Sequence, residues 1–320
     1  MSAMDTFITI DEQIETIERK GIAVGDREFA RRTLLDVSYY ALINGYGEAF
    51  CKEKCPAKTY LEGTSFESIL GLYHIDQRIR WILIHYLFEA ESSLKNRIVY
   101  GFLSFRDPAS GADDLGQQYL NASAPGYDQA NWRLKGFVDQ LGSLINEGKK
   151  DSQAVRHSVQ SYGYVPLWVL ETLFRFGDVR HFYQCCNPAI RASVASGFSV
   201  SDSFLNACIR VLHVARNCCA HRGRLYRFDP GNGTFGFVFP SKGSQDAAVE
   251  RILRSGLSSK GLSSVAVGLR VALPEPDYRA AVSSIYEAIA EGAPSVFPLS
   301  ESDLLAMYSL PSKEGMLYNP

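Results

Sequence analysis

Arg216 and His221 stand with four residues between them near the end of the segment Ser203 to Arg227, SFLNACIRVLHVARNCCAHRGRLYR. An arginine can hold a phosphate through two hydrogen bonds and offset charge as a transition state forms. A histidine, with an ordinary pKa near ~6.5, takes or gives a proton around neutrality. Together they suit cleavage of an RNA phosphodiester. The substrate brings its own nucleophile, the ribose 2′-hydroxyl, so this chemistry requires no serine, cysteine, metal or cofactor. The segment holds five arginines (Arg210, Arg216, Arg222, Arg224 and Arg227), two histidines and no carboxylate. In a chain of net charge −2 that is a concentrated anion-attracting surface.

The spacing alone is not specific. Arg80 and His85 repeat it inside an apolar stretch beside Trp81, Ile84 and Phe88, where a buried, structurally bonded histidine is the better reading. For Arg216 and His221 the competing reading is a solvated basic helix end. On a helix at about 100° per residue, Leu205, Cys208, Leu212, Ala215 and Cys219 form one stripe. Arg210, His213, Asn217 and His221 lie opposite, with Arg216 between the two. His213 reads equally as an RNA contact or a solvated histidine. Arg222, Arg224 and Arg227 follow without a gap and read as phosphate contacts. Glu171, alone in an apolar helix, calls for a partner, expected to be an arginine.

The elements that must position these groups are read as helices. Thr9 caps a short helix ending near Gly21, and Asp26 caps a second running from Arg27 to Ile43, stopped by Gly45 and Gly47. Residues 50–64 read as loop. Thr64 or Ser65 opens a long helix from Phe66 to about Leu103, whose middle is apolar nearly all round and is expected to be buried on several sides. After a loop over 106–131 comes a polar helix at 132–148. Another starts at Pro166 and stops at Gly177; further helices begin near Asp178, Asn187 and Ser201. Alternating aromatics around Gly231 to Gly233 predict a β-hairpin over 225–239, where Phe235, Phe237 and Phe239 pack. A Ser/Gly/Lys-rich linker around a weak helix at 247–255, a helix at 277–290 and an irregular tail complete the chain.

Bulk composition excludes little. The 46% hydrophobic and 21% charged residues are ordinary for a globular protein, so any nucleic-acid surface must be local. The seven cysteines are odd in number and not spaced as zinc ligands, so no metal site is expected and the thiols read as those of a reducing cytosol. The opening residues do not read as a signal peptide, and no apolar run of about 18 residues predicts a membrane span. A cytoplasmic location is expected.

Arg216 to Tyr226 (RNCCAHRGRLY) closely resembles the RNxCAHxxRLY signature of Abi-like proteins of the AbiD/AbiF type, within the HEPN superfamily. Other blocks resemble the family in its order: Asp11 to Gly21, Val37 to Tyr46 (VSYYALINGY), Gly63 to Phe66 (GTSF), Leu72 to Arg80 and Glu91 to Lys95. Pro166 to Gly177 (PLWVLETLFRFG) follows, with Glu171 one place early. The resemblance runs from about residue 7 to 229. It implies an all-α HEPN-type bundle, placed at 1–229; the hairpin and a C-terminal helical extension at 230–320, read from the residues themselves, are expected to pack on it. The resemblance implies a bacterial, cytoplasmic abortive-infection toxin acting in phage defence, and metal-independent RNA cleavage. Arg216 would stabilise phosphate, His221 act as general acid/base and Asn217 orient them. Arg210, His213, Arg222, Arg224 and Arg227 are the RNA-binding candidates. One motif per chain implies a homodimer, and toxin behaviour leaves room for a regulatory RNA or an antitoxin. A catalytically silent RNA-binding or interaction module of the same fold is the alternative.

Overall fold

The computed structural model describes residues 7–52, 59–105, 118–231, 258 and 260–317. These residues are predominantly helical, and strand pairing among them is limited to isolated bridges such as Ala23 with Ser65. Helix α1 (Ile10–Arg19) opens with a capping box in which Thr9 and Glu12 satisfy each other's backbone N–H. Helix α2 (Arg27–Asp36) is capped by Asp26 but ends earlier than the sequence predicts. Val37 turns extended, and the chain resumes as a short π-helical turn at Tyr40–Asn44.

Helix α3 (Phe66–Ser104) is the central element, with Ser65 as its N-cap. Its apolar middle is not buried all round. Trp81 is 71% exposed, Phe88 is 50% exposed and His85 is exposed between them, so one stripe faces outward. This corrects the expectation of a buried His85: in that pair the arginine is the buried member.

Helices α4 (Leu134–Asp151) and α5 (Gln153–Tyr162) form a hairpin, of which the sequence pattern predicts only the first arm. Pro166 does start a helix, α6 (Leu167–Leu170), but it tightens to a 3-10 turn and stops at Phe174. Gly177 therefore lies inside the next helix, α7 (Phe176–Cys185), rather than ending one. Asp178 accepts the Arg175 backbone N–H there. Helix α8 (Pro188–Ser196) follows its Asn187 cap, and α9 (Asp202–Ala220) follows Ser201.

Helix α9 carries the Arg/His motif and packs on α3, α7 and α10 (Gly261–Ala272). Its predicted apolar stripe, Leu205 to Cys219, is buried. Helix α10, GLSSVAVGLRVA, stands where the Ser and Gly content predicts linker. Those residues are buried, and small side chains let the helix close on α9: a Cβ on Gly268 would lie 2.8 Å from Leu212 Cγ. Helix α11 (Glu275–Gly292) matches the predicted C-terminal helix and lies along α3. The tail is not irregular. It forms α12 (Glu301–Met307) and α13 (Lys313–Leu317), and buries Tyr308 and Met316.

The predicted hairpin is corrected on its first arm. Leu225 to Phe228 make a turn, because the backbone N–H groups of Leu225 and Tyr226 bond a carboxylate and not a neighbouring strand. The second arm, with Phe235, Phe237 and Phe239, and the weak helix at 247–255 lie outside the described residues. No helix among the described residues is long and apolar enough to cross a membrane.

Candidate functional site at the end of the motif helix

The site is built on the way α9 ends. Ala220 is its last helical residue and His221 its C-cap. Gly223 N–H then bonds Cys218 O at 2.7 Å, and Arg222 N–H reaches Cys219 O at 3.4 Å. This is the paired closure of a Schellman turn, which puts the residue after the cap in the left-handed region. Glycine usually fills that place; here it is Arg222, at φ +56°. Gly223 is needed for a different reason, since a Cβ there would meet Cys218 Sγ at 2.5 Å.

The turn is held from below by α3. Asp76 is fully buried and accepts the N–H groups of Leu225 (3.0 Å) and Tyr226 (2.9 Å) and the hydroxyls of Tyr46 (2.9 Å) and Tyr308 (3.0 Å). Arg80, one turn along α3, pairs with the same carboxylate and donates to Gly223 O at 3.1 Å. Burial opposes charge on Asp76, and these donors compensate it. The Asp76–Arg80 block and the Leu-Tyr after the motif thus meet in one buried network.

Within this frame His221 and Arg216 differ. The His221 side chain is exposed and makes no hydrogen bond to the described residues. Arg216 is half-buried. Its Nε lies 3.6 Å from Glu91 Oε2, too long for a hydrogen bond, and both atoms are buried without another partner. Its guanidinium sits 5.6 Å from the Phe88 ring centroid. Burial pushes the Glu91 carboxyl up, while Arg216 and Lys95 pull it back. Burial likewise raises Glu171, with Lys95, and not the arginine expected, as the cation that opposes it.

The remaining predicted residues fall into three groups. Asn217 does not reach Arg216 or His221 with its side chain; its amide lies 3.0 Å from His213 Nε2. His213 is half-buried against Phe176 and is not a solvated histidine. Burial lowers its pKa, and the nearby Arg180, His181 and Arg216 lower it further. Arg224 donates to Gly45 O at 3.0 Å and Arg227 pairs with Glu48, so both help to pin the turn. Arg210 and Arg222 are engaged by no carboxylate among the described residues.

Arg222 and Arg224 also line a cleft of about 510 Å³ with Tyr40, Asn44 and Tyr73. Those three, together with Glu91, are residues the motif argument missed. They come from blocks with no charge pattern or ligand spacing of their own. Among the described residues, no cluster of three or more His, Cys, Asp or Glu side chains could hold a metal ion.

The molecule is a helical protein in which a capped Arg/His turn is braced by a buried carboxylate on a central helix. The Abi-like protein family matches residues 32–227, well over half of the chain, and the chain belongs to that family of abortive-infection-type proteins. No curated protein and no solved structure matches the chain.

Proposed function

We propose that this Abi-like protein is an endoribonuclease of the HEPN type, with Arg216 and His221 as its catalytic residues. The observation that supports it best is His221: exposed, unpartnered and carried on a turn fixed from two sides. Its ring can meet a substrate without first breaking a bond. Arg216, a turn and a half earlier, has a guanidinium that no hydrogen bond closes off. In the reaction the 2′-oxygen attacks phosphorus and the bond from phosphorus to the 5′-oxygen breaks. The products are a 2′,3′-cyclic phosphate and a free 5′-hydroxyl. His221 takes the 2′-hydroxyl proton or protonates the leaving oxygen, and Arg216 offsets charge on the phosphorane.

One histidine cannot serve both proton transfers at once, so we place a second copy's His221 in the other role, across a two-fold axis. The outward stripe of Trp81, His85 and Phe88 adjoins Arg216 and is the face we assign to that copy. Arg210 and Arg222 are the arginines best placed to track phosphates. Arg224 and Arg227 would first have to leave Gly45 O and Glu48. Asn217 acts through His213. The described residues beyond 229 serve as a packed extension of the nuclease unit that ends there. The setting we infer is the cytoplasm of a bacterium, as a toxin in phage defence under the control of an RNA or antitoxin.

The test is a gel of bulk RNA incubated with the protein in EDTA. The wild type is expected to cleave, leaving cyclic phosphate ends, and a 2′-O-methyl group at the scissile nucleotide blocks the cut. His221→Ala abolishes cleavage and keeps its melting temperature, because its exposed ring leaves no cavity. A mobility shift without cleavage by the wild type would turn the assignment to a silent RNA-binding module. Neither cleavage nor shift would leave an interaction protein.

A further inference from the structure

A second cleft, of about 500 Å³, opens between α4 and α7 on the side of α9 that carries Arg210 and His213. Its lining includes Trp132, Arg133, Arg180, His181 and Gln184. Trp132 is 83% exposed and carries the Arg133 guanidinium 4.7 Å from its ring centroid.

The charge here is one-sided. Arg180 is half-buried and feels both Arg133 and Arg210, which with burial lower its pKa. His181 is lowered by burial and by Arg180 and Arg133, with Asp178 opposing. The carboxylates nearby are committed elsewhere. Asp178 accepts from Gln140 and the Arg175 N–H, and Asp128 pairs with Arg191. Arg180 Nε is buried with no hydrogen-bond partner, and so is Gln184 Oε1. A cluster of cations with an unmet donor and an unmet acceptor costs stability unless something anionic and hydrogen-bonding completes it.

We propose that this cleft is a nucleotide subsite for a single-stranded stretch of the RNA substrate. Arg180 and Arg133 each take a backbone phosphate, and a base stacks on Trp132. Gln184 Oε1 accepts a ribose hydroxyl or a base N–H. Arg210 lies six residues before Arg216 on α9, about 9 Å along the helix axis, so the strand runs from this subsite towards the motif. Exposed aromatics beside cations are how single strands are held without sequence reading. The 2′-hydroxyl at Gln184 gives a preference for RNA over DNA. The subsite rests on the reading of RNA as the ligand but not on the cleavage chemistry.

The experiment measures fluorescence anisotropy of a short labelled single-stranded RNA, and of the same sequence as DNA, over a range of salt. The protein is the His221→Ala full chain, so that the RNA stays intact. Trp132→Ala is expected to weaken RNA binding about tenfold or more, and Trp132→Phe to restore most of it. Arg133→Gln and Arg180→Gln should each reduce the slope of log K against log salt by about 0.7, one phosphate contact on a single strand. Arg180 is half-buried, so its melting temperature is checked; Trp132 and Arg133 are exposed and carry the test even if that variant unfolds. Unchanged affinity and slope in Trp132→Ala and Arg133→Gln would overturn the subsite, as would the absence of RNA binding in the background protein. Cleavage by the wild type is scored separately. Cutting with unaffected binding variants removes the subsite and leaves the nuclease; binding lost in the variants without wild-type cutting does the reverse.

Discussion

Replacing Asp76 by Asn tests whether the turn bearing His221 is held by a buried charge. Asp76 has no solvent exposure, and its partner Arg80 has 7% side-chain exposure. The substitution keeps the shape, removes the charge, and turns one accepting oxygen into a donor. The amide nitrogen then faces groups that themselves donate: two backbone N–H groups, two tyrosine hydroxyls and a guanidinium. Breaking a buried ion pair from one side costs about 3–5 kcal/mol, because the other charge stays buried. That is a large part of a typical total of roughly 5–15 kcal/mol.

With an m-value of about 3 kcal/mol/M, the urea midpoint should fall by about 1–2 M. The assay is helical circular dichroism against urea, run as a double-mutant cycle with Arg80→Met. Removing the orphaned guanidinium should cost less in the Asp76→Asn background than in the wild type, with a coupling of about 1–3 kcal/mol. Tyr308→Phe, which removes one neutral donor, should cost only about 1 kcal/mol. A loss below about 1 kcal/mol for Asp76→Asn, or no coupling to Arg80, would show that the network does not brace the turn.

Two other outcomes are expected. Arg222→Gly should stabilise the chain by about 1 kcal/mol, since Arg222 holds φ +56° where glycine is unstrained. The same change should weaken RNA binding through the lost cation, so a melting temperature that falls would refute the strain argument. His213 has a folded pKa depressed below its ordinary value of 6.5, by burial first and then by Arg180, His181 and Arg216. Its contribution to stability is therefore present above about pH 6.5 and lost as pH falls through the lower folded value. His213→Gln should flatten the urea midpoint across that window, and an equally steep acid loss in the variant would put the titration elsewhere.

Much of this was legible from the residues. Caps at Thr9, Asp26, Ser65, Asn187 and Ser201 mark helix starts because a side-chain oxygen must meet the free N–H groups there. The buried stripe of α9 follows from helical period. What periodicity misjudged was burial that depends on distant partners. Trp81 and Phe88 are as apolar as their neighbours, yet half or more of each residue's surface stays open to solvent. Helix α10 resembles linker because small residues serve two ends, flexibility in a loop and close approach in a core. Glu91 gave no local sign of its relation to Arg216, since the two are 125 residues apart in sequence and meet only when α9 lies on α3.

The basic residues of the motif sort in the same way. Charge counting treats five arginines as one surface, but each ends in different company. Arg227 meets Glu48, Arg224 a carbonyl, and Arg216 a carboxylate just beyond hydrogen-bond reach. A closed bond to Glu91 would have to be broken before Arg216 could grip phosphate. No counter-ion at all would leave a half-buried cation to destabilise the fold. The 3.6 Å separation lies between these, with Glu91 itself raised by burial and so a weaker competitor for the guanidinium. The two non-bridging oxygens of a phosphodiester offer bidentate acceptance that this geometry denies to Glu91. Arg216 is thus the arginine of the motif whose present partner an incoming anion can displace at least cost, and that argues for its role more directly than the four-residue gap to His221.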